Sequence, residues 1–280
     1  MPEAAIDLDA YCARIGYSGP RAPTLAILQD LHHRHFRTIP FENLDVVLKR
    51  TIRLDPASLQ RKLVADRRGG YCFESNGLLM HALRAFGFRV TAMAARVLFE
   101  RGPDPLPPRS HMVLKVDLAE GIYLVDAAFG GQTPSRPLRF ELDAEQLTAL
   151  EPCRLVRAED GELDLQSRYG DRWGTLYRFA AAPQLPVDFE HANWHVSTHP
   201  DSYFVNNVIA ATPGEGCRYS LFNGEFRTRN VEGKVDARPI VGSHQLAGIL
   251  KDRFGLTLAA GDLQGVMALI FKILSVRPSA

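Results

Sequence analysis

Cys72 lies in the run RRGGYCFESN, two glycines ahead of a segment with helical periodicity. Gly69 and Gly70 let the backbone turn tightly and leave space beside a thiol. A cysteine at a helix start faces unpaired amide N–H groups and the positive end of the helix dipole. Both favour thiolate over thiol, and the thiolate is the nucleophilic form. Arg67 and Arg68 add positive charge nearby in sequence. A thiolate nucleophile needs a base and a group that orients the base. His111 starts the strand HMVLKVDL, and Asp126 ends the next strand, IYLVD. If Leu118 faces Gly121 across a hairpin, Val113 faces Asp126 and His111 shares their face one diagonal step away. A one-residue slip would separate them. Each residue also has a plain structural reading: a small buried cysteine, a strand-end histidine, a turn aspartate. The order Cys, His, Asp fits thiol hydrolysis and acyl transfer equally.

The elements that must position these groups follow from periodicity. Residues 7–86 read as helical. Asp7 caps a first helix ending at Gly16, and Thr24 caps a second stopped by Pro40. Asp55-Pro56 opens a third, and the fourth runs from Cys72 to Gly87. From Phe88 the pattern changes to strands: FRVTAMAARVLF, HMVLKVDL, IYLVDAAF, CRLVRAED, DLQSRY and TLYRFA. RGPDPLPPRS is a proline-rich loop among them. This set predicts a small antiparallel barrel or sandwich. Further on, HANWHVSTHPDS reads as a connecting loop, and FVNNVIAAT, CRYSLF and EFRTRNV as strands. Asn223-Gly224 predicts a type I′ hairpin turn. Ser243 and Asp262 are expected caps of two closing helices.

The chain has 280 residues, enough for two or three cooperating domains. A net charge of +1 gives no long-range attraction to a polyanion, so neither nucleic acid nor a membrane surface is an expected partner. The N-terminus is acidic and lacks the apolar run of a secretory signal. The apolar stretch Val266–Val276 is too short to span a bilayer. A cytoplasmic location is expected. Cys12, Cys72, Cys153 and Cys217 form no C-x-x-C pair, which argues against structural zinc and a redox dithiol. His32, His33 and His35, and the series His191, His195 and His199, are not expected to bind metal.

RRGGYCFESN resembles the segment around the catalytic cysteine of the arylamine N-acetyltransferase family. Four further segments resemble that family in the same order: IPFENLD from Ile39, SHMVL from Ser110, YLVDAAFG from Tyr123 and NWHVSTHPDSYFVNN from Asn193. The matches span residues 39–207, and the length suits a bacterial member. The resemblance implies an α+β chain of three parts: a helical bundle over 1–87 carrying the nucleophile, an antiparallel β-barrel over 88–192 carrying His111 and Asp126, and an α/β lid over 193–280. It implies a ping-pong reaction through an S-acetyl-Cys72, with acetyl-CoA as acyl-donor substrate, no tightly bound cofactor, and an arylamine or arylhydrazine as acceptor. By position in the motifs, Phe41, Phe129 and Phe204 would line the acceptor pocket, with Val97 as a further candidate; without the resemblance they read as core residues. Gly130 and Gly131 would approach CoA. Glu42 and Arg68 are expected to form a structural ion pair. Ala128 stands where the family commonly has glycine, which bears on acceptor range. An amide synthase releasing a carrier-bound polyketide, or a thiol hydrolase, could use the same triad. Homo-oligomerisation stays open.

Overall fold

The computed structural model describes residues 6–101 and 105–276; part of the proline-rich loop, residues 102–104, lies outside them. The chain opens with α1 (Leu8–Ile15), capped by the Asp7 carboxylate and ended at Gly16 with φ +68°. α2 (Leu25–Thr38) is capped by the Thr24 hydroxyl. A two-residue strand β1 (Phe41–Glu42), a turn α3 (Leu44–Val47) and α4 (Pro56–Leu59) follow, the last continuing as a π-helical stretch to Ala65. α5 (Cys72–Ala85) completes the helical part.

Next come β2 (Arg89–Val97), β3 (Arg109–Leu118), β4 (Gly121–Val125), β5 (Leu138–Arg139), β6 (Cys153–Arg157), β7 (Leu163–Tyr169) and β8 (Arg172–Phe179). They form one seven-stranded sheet in the order β5-β4-β3-β2-β8-β7-β6, with every pairing antiparallel. Bridges from Leu142 to Leu155 and from Gln146 to Cys153 join the two edges, so the sheet nearly closes into a barrel. The alternation of β3 divides two cores. Met112, Leu114 and Val116 pack with the helices, whereas Val113 joins Met93, Leu124, Leu165 and Phe179 inside the barrel.

The remainder is α6 (Pro186–Thr198), α7 (Tyr203–Asn206), β9 (Ile209–Gly214), β10 (Cys217–Phe222), β11 (Glu225–Asn230), β12 (Val235–Pro239), α8 (Ser243–Phe254) and α9 (Ala260–Val276). Asn223 and Gly224, at φ +48° and +86°, make the predicted tight turn between Phe222 and Glu225.

Several expectations are corrected. HANWHVSTHPDS is mostly helix: Pro186 occupies the first turn, the Asp188 carboxylate accepts from Leu185 N, and Ser197 and Thr198 hydroxyls bond back to Asn193 O and Trp194 O. These back-bonds satisfy the hydroxyls within the helix, and its tertiary contacts, Asn193 with Tyr71 Oη and Ile52 O, hold the stretch helical. The FVNN part of FVNNVIAAT lies at α7 instead of in a strand, because the Ser202 hydroxyl caps a short turn there. β4 ends at Val125, before DAAF. Gly242, not Ser243, is the cap position of α8, and α9 begins at Ala260, ahead of Asp262. β1 was not legible at all. It pairs with β9, Phe41 opposite Ala211, so a strand from the helical part extends the five-stranded sheet β1-β9-β10-β11-β12.

Candidate active site

Cys72 is the first residue of α5 and is 3% exposed. The turn before it is threaded against β1. Gly70 N donates to Pro40 O, and Glu42 N donates to Gly70 O. A Cβ on Gly69 would fall 2.2 Å from Pro40 O, so glycine is required by close backbone approach. The expected Glu42–Arg68 pair is present at 2.8 Å and is part of a larger buried group. Arg68 also reaches Asp45, and Lys62 joins Asp45 to Glu74. The Arg68 charge is thus directed into carboxylates rather than toward the thiol. Glu74 accepts from Tyr71 N at 3.2 Å, capping the helix that presents Cys72. Burial raises Glu74 to about 7 against the opposing pull of Lys62.

The β2–β3 ladder shifts register so that Ala95 faces His111 while Arg96 faces Arg109. Ser110 is the extra, bulged residue. Bulges free a backbone group and re-aim neighbouring side chains. Here the Cys72 Sγ lies 3.7 Å from Ser110 O as donor, and His111 follows at once. The predicted hairpin register holds: Leu118 faces Gly121, and the ladder runs to Leu114 opposite Val125. Asp126 therefore emerges beside His111, and His111 Nε2 donates to Asp126 Oδ2 at 2.7 Å. Nδ1 is left for the sulfur. Burial alone would lower the His111 pKa, but the Asp126 charge and hydrogen bond, with the Cys72 side chain, raise it to about 10. Burial would raise Asp126, and His111 outweighs it and holds the carboxyl below its ordinary range. Elsewhere burial pushes the Cys153 thiol up to about 12, and that of Cys12 upward.

Three supports of this group were missed from sequence. Asn76 donates to Asp126 Oδ1 at 2.9 Å and to Met112 O at 2.8 Å, and accepts from Ala127 N. Its spacing of four from Cys72, one helical turn, was a usable signal. Tyr177, on a strand far along the chain, packs its ring 4.9 Å from the His111 ring. No local pattern marks it. His32 donates from Nε2 to Asp126 O at 3.0 Å.

His32 and His35 are fully buried. His35 sits between Tyr11 Oη and Ser75 Oγ, at 2.9 Å from each. Desolvation lowers His32 to about 4 and His35 to about 3, so both are neutral. Their folded pKa values lie below the unfolded one of about 6.5, so the unfolded chain takes up protons first on acidification. Their contribution is present above that pH and is lost as pH falls toward 4 and 3. Each should cost about 2 kcal/mol of stability between pH 7 and pH 5. In thermal melts, the His35→Gln variant should show a smaller drop over that interval than the unmodified protein. Parallel curves would show that these histidines do not govern acid lability.

The candidate pocket residues form two aromatic groups. Phe41 and Phe204 are 6.0 Å apart, with Tyr71 5.5 Å from Phe204. Phe129 lies 5.1 Å from His111, edge-on, and 5.2 Å from Tyr177. Gly130 joins the groups: at φ +88°, its Cβ position is 3.6 Å from the Phe41 ring. A Cβ on Gly131 would meet nothing within 4 Å. Val97 is half-buried at the end of β2, opposite Tyr177. Ala128 has no left-handed backbone, and its methyl is buried in the helical core. Among the described residues, no group of three or more His, Cys, Asp or Glu could hold a metal, and no helix is long and apolar enough to cross a membrane.

A thiol at a helix start, with an imidazole on β3 paired to a carboxylate just past β4, has the layout of a thiol-nucleophile site and fits hydrolysis and acyl transfer alike. The N-acetyltransferase family profile matches residues 24–263. The Mycobacterium tuberculosis H37Rv arylamine N-acetyltransferase is 42% identical, with 99% of each chain covered. The Mycobacterium marinum arylamine N-acetyltransferase, solved in complex with CoA, superposes with a TM-score of 0.89 at 39% identity, covering 95% of this chain and 99% of that one. A Salmonella typhimurium relative, 34% identical over 98% of each chain, is an arylamine N-acetyltransferase and N-hydroxyarylamine O-acetyltransferase. The chain belongs to the arylamine N-acetyltransferase family.

Proposed function

We propose that this protein moves an acetyl group from acetyl-CoA to arylamines, arylhydrazines or related amines through an S-acetyl-Cys72. The observation that carries the reading is the His111–Asp126 contact of 2.7 Å at the rim of the helix that begins with Cys72. The thiolate attacks the thioester carbonyl, and backbone N–H groups at the start of α5, including that of Cys72, face the oxyanion. The C–S bond to CoA breaks, and the departing thiolate takes the His111 proton. An amine then attacks the S-acetyl carbon. His111 accepts the amine proton, and the Cys72 thiolate is released. Asp126 holds the ring orientation and stabilises its charged form.

The aromatic walls, Phe41, Phe129 and Phe204 with Val97, suit flat acceptors through stacking and apolar burial. Gly130 and Gly131 leave a path for CoA, the ligand held by the M. marinum relative. The division at 1–87, 88–192 and 193–280 belongs to the same reading: nucleophile, base with carboxylate, and lid. All four cysteines are free, which suits a reducing, cytoplasmic setting.

Mixing the protein with acetyl-CoA and no amine should place one acetyl group on the peptide containing Cys72, seen by mass spectrometry. Adding an arylamine should discharge it as the N-acetyl product. An adduct on Cys12, Cys153 or Cys217, or discharge as acetate before amine is added, would rule the transfer reading out.

A further inference from the structure

Arg218 on β10 and Arg229 on β11 stand directly opposite one another in the smaller sheet. Like charges in that relation repel. The carboxylate of Glu151, which precedes β6 of the barrel, enters between them and is buried. Arg218 Nε lies 3.1 and 3.0 Å from its two oxygens, and Nη2 is 2.6 Å from Oε2. Arg229 Nη2 lies 2.6 Å from Oε1. Burial would raise the Glu151 carboxyl, but Arg218 and then Arg229 outweigh it and hold it below its ordinary range.

The same Arg218 Nη2 donates to Thr133 O at 2.8 Å. Thr133 is buried, and its Oγ1 accepts from Phe129 N at 2.8 Å and donates to Gly130 O at 2.9 Å. The Phe129 ring then stands edge-on to His111. A hydrogen-bonded line thus runs from an ion group joining two sheets to the ring beside the imidazole.

We propose that Arg218, Glu151 and Thr133 are positioning residues that fix Phe129 as one face of the acceptor pocket, and so favour flat aromatic amines over small nucleophiles. This rests on the reading that Phe129 lines that pocket. Buried ions contribute little net stability compared with an apolar contact of the same size. What the forked guanidinium adds is direction: it grips Glu151 and a loop carbonyl in one geometry. Without that grip the Phe129–Thr133 loop keeps its internal bonds but loses its anchor to the small sheet.

Arg218→Lys and Thr133→Val test the line at both ends, with the two half-reactions measured separately. Acetylation of Cys72 is followed as CoA release in a single turnover without acceptor. Discharge of the acetylated protein is followed with aniline and with hydrazine. Acetylation should stay within about twofold of the unmodified protein, because the His111–Asp126 pair is untouched. Discharge by aniline should weaken about tenfold through KM, the size of one lost aromatic contact, with hydrazine unchanged. An equal loss for both acceptors, no loss for either, or a parallel loss of acetylation would overturn the proposal. Thr133→Val leaves the buried charges intact, so it decides the matter should Arg218→Lys fold poorly. Failure of the unmodified protein to acetylate Cys72 would instead refute the transfer reading on which the proposal stands.

Discussion

Cys72→Ala should abolish acetyl transfer while the protein stays folded. In the proposed mechanism the acetyl group is carried on the Cys72 sulfur, and alanine offers no nucleophile in its place. Cys72→Ser should fare little better, because a serine hydroxyl is far harder to ionise beside the same imidazole. Loss of a nucleophile from a working triad costs about 10⁴-fold or more in kcat. Stability should change by only about 1 kcal/mol, since the removed atom is small and its polar neighbours are the Ser110 carbonyl and the His111 ring. Steady-state rates with an arylamine, alongside thermal melts, separate the two effects. A Cys72→Ala protein that still acetylates arylamine at a fair fraction of the original rate would end the covalent mechanism.

Asp126→Asn should be nearly as severe, with about a 10³- to 10⁴-fold loss in kcat/KM. Asp126 Oδ1 already accepts from Asn76 and from Ala128 N, so an asparagine would keep its oxygen there. Its NH₂ would then face His111 Nε2. That nitrogen would have to accept, which moves the ring proton to Nδ1 and leaves the imidazole neutral. Burial, now unopposed by the carboxylate, also disfavours the charged ring, whose pKa is about 10 in the intact pair.

The pH dependence of stability gives an independent readout. The raised His111 contributes fully below the ordinary histidine value of about 6.5 and loses that contribution as pH climbs through about 10. The lowered Asp126 contributes above the ordinary carboxylate range and loses it on acidification. The gap in melting temperature between the intact protein and Asp126→Asn should therefore be widest between about pH 4 and pH 6.5, and should narrow toward pH 10. A gap that does not vary with pH would show that the two groups are not an ion pair.

The parts of the site legible in sequence are those set by local geometry. Gly69 and Gly70 ahead of a helical period place Cys72 in the first turn of α5. Leu118 opposite Gly121 fixes the face shared by His111 and Asp126, because a short hairpin turn sets register for the whole ladder. Asp7, Thr24 and Asp55 cap helices with bonds to amides three residues on. All of these are interactions between near neighbours, and residue types announce them.

Tertiary packing decided the rest. β1 is held by partners distant in sequence, β9 at 170 residues on one side and Gly70 on the other. α6 contradicts the texture of its own sequence and is held by its contacts, with Asn193 reaching Tyr71 Oη and Ile52 O. Asn76, Tyr177 and His32 meet at Asp126 and His111 because α2, α5 and the barrel close on one another. Sequence fixes each side chain's direction on its own element. Which directions converge depends on the burial of apolar faces between elements, and that sum over distant contacts leaves no period or spacing to read.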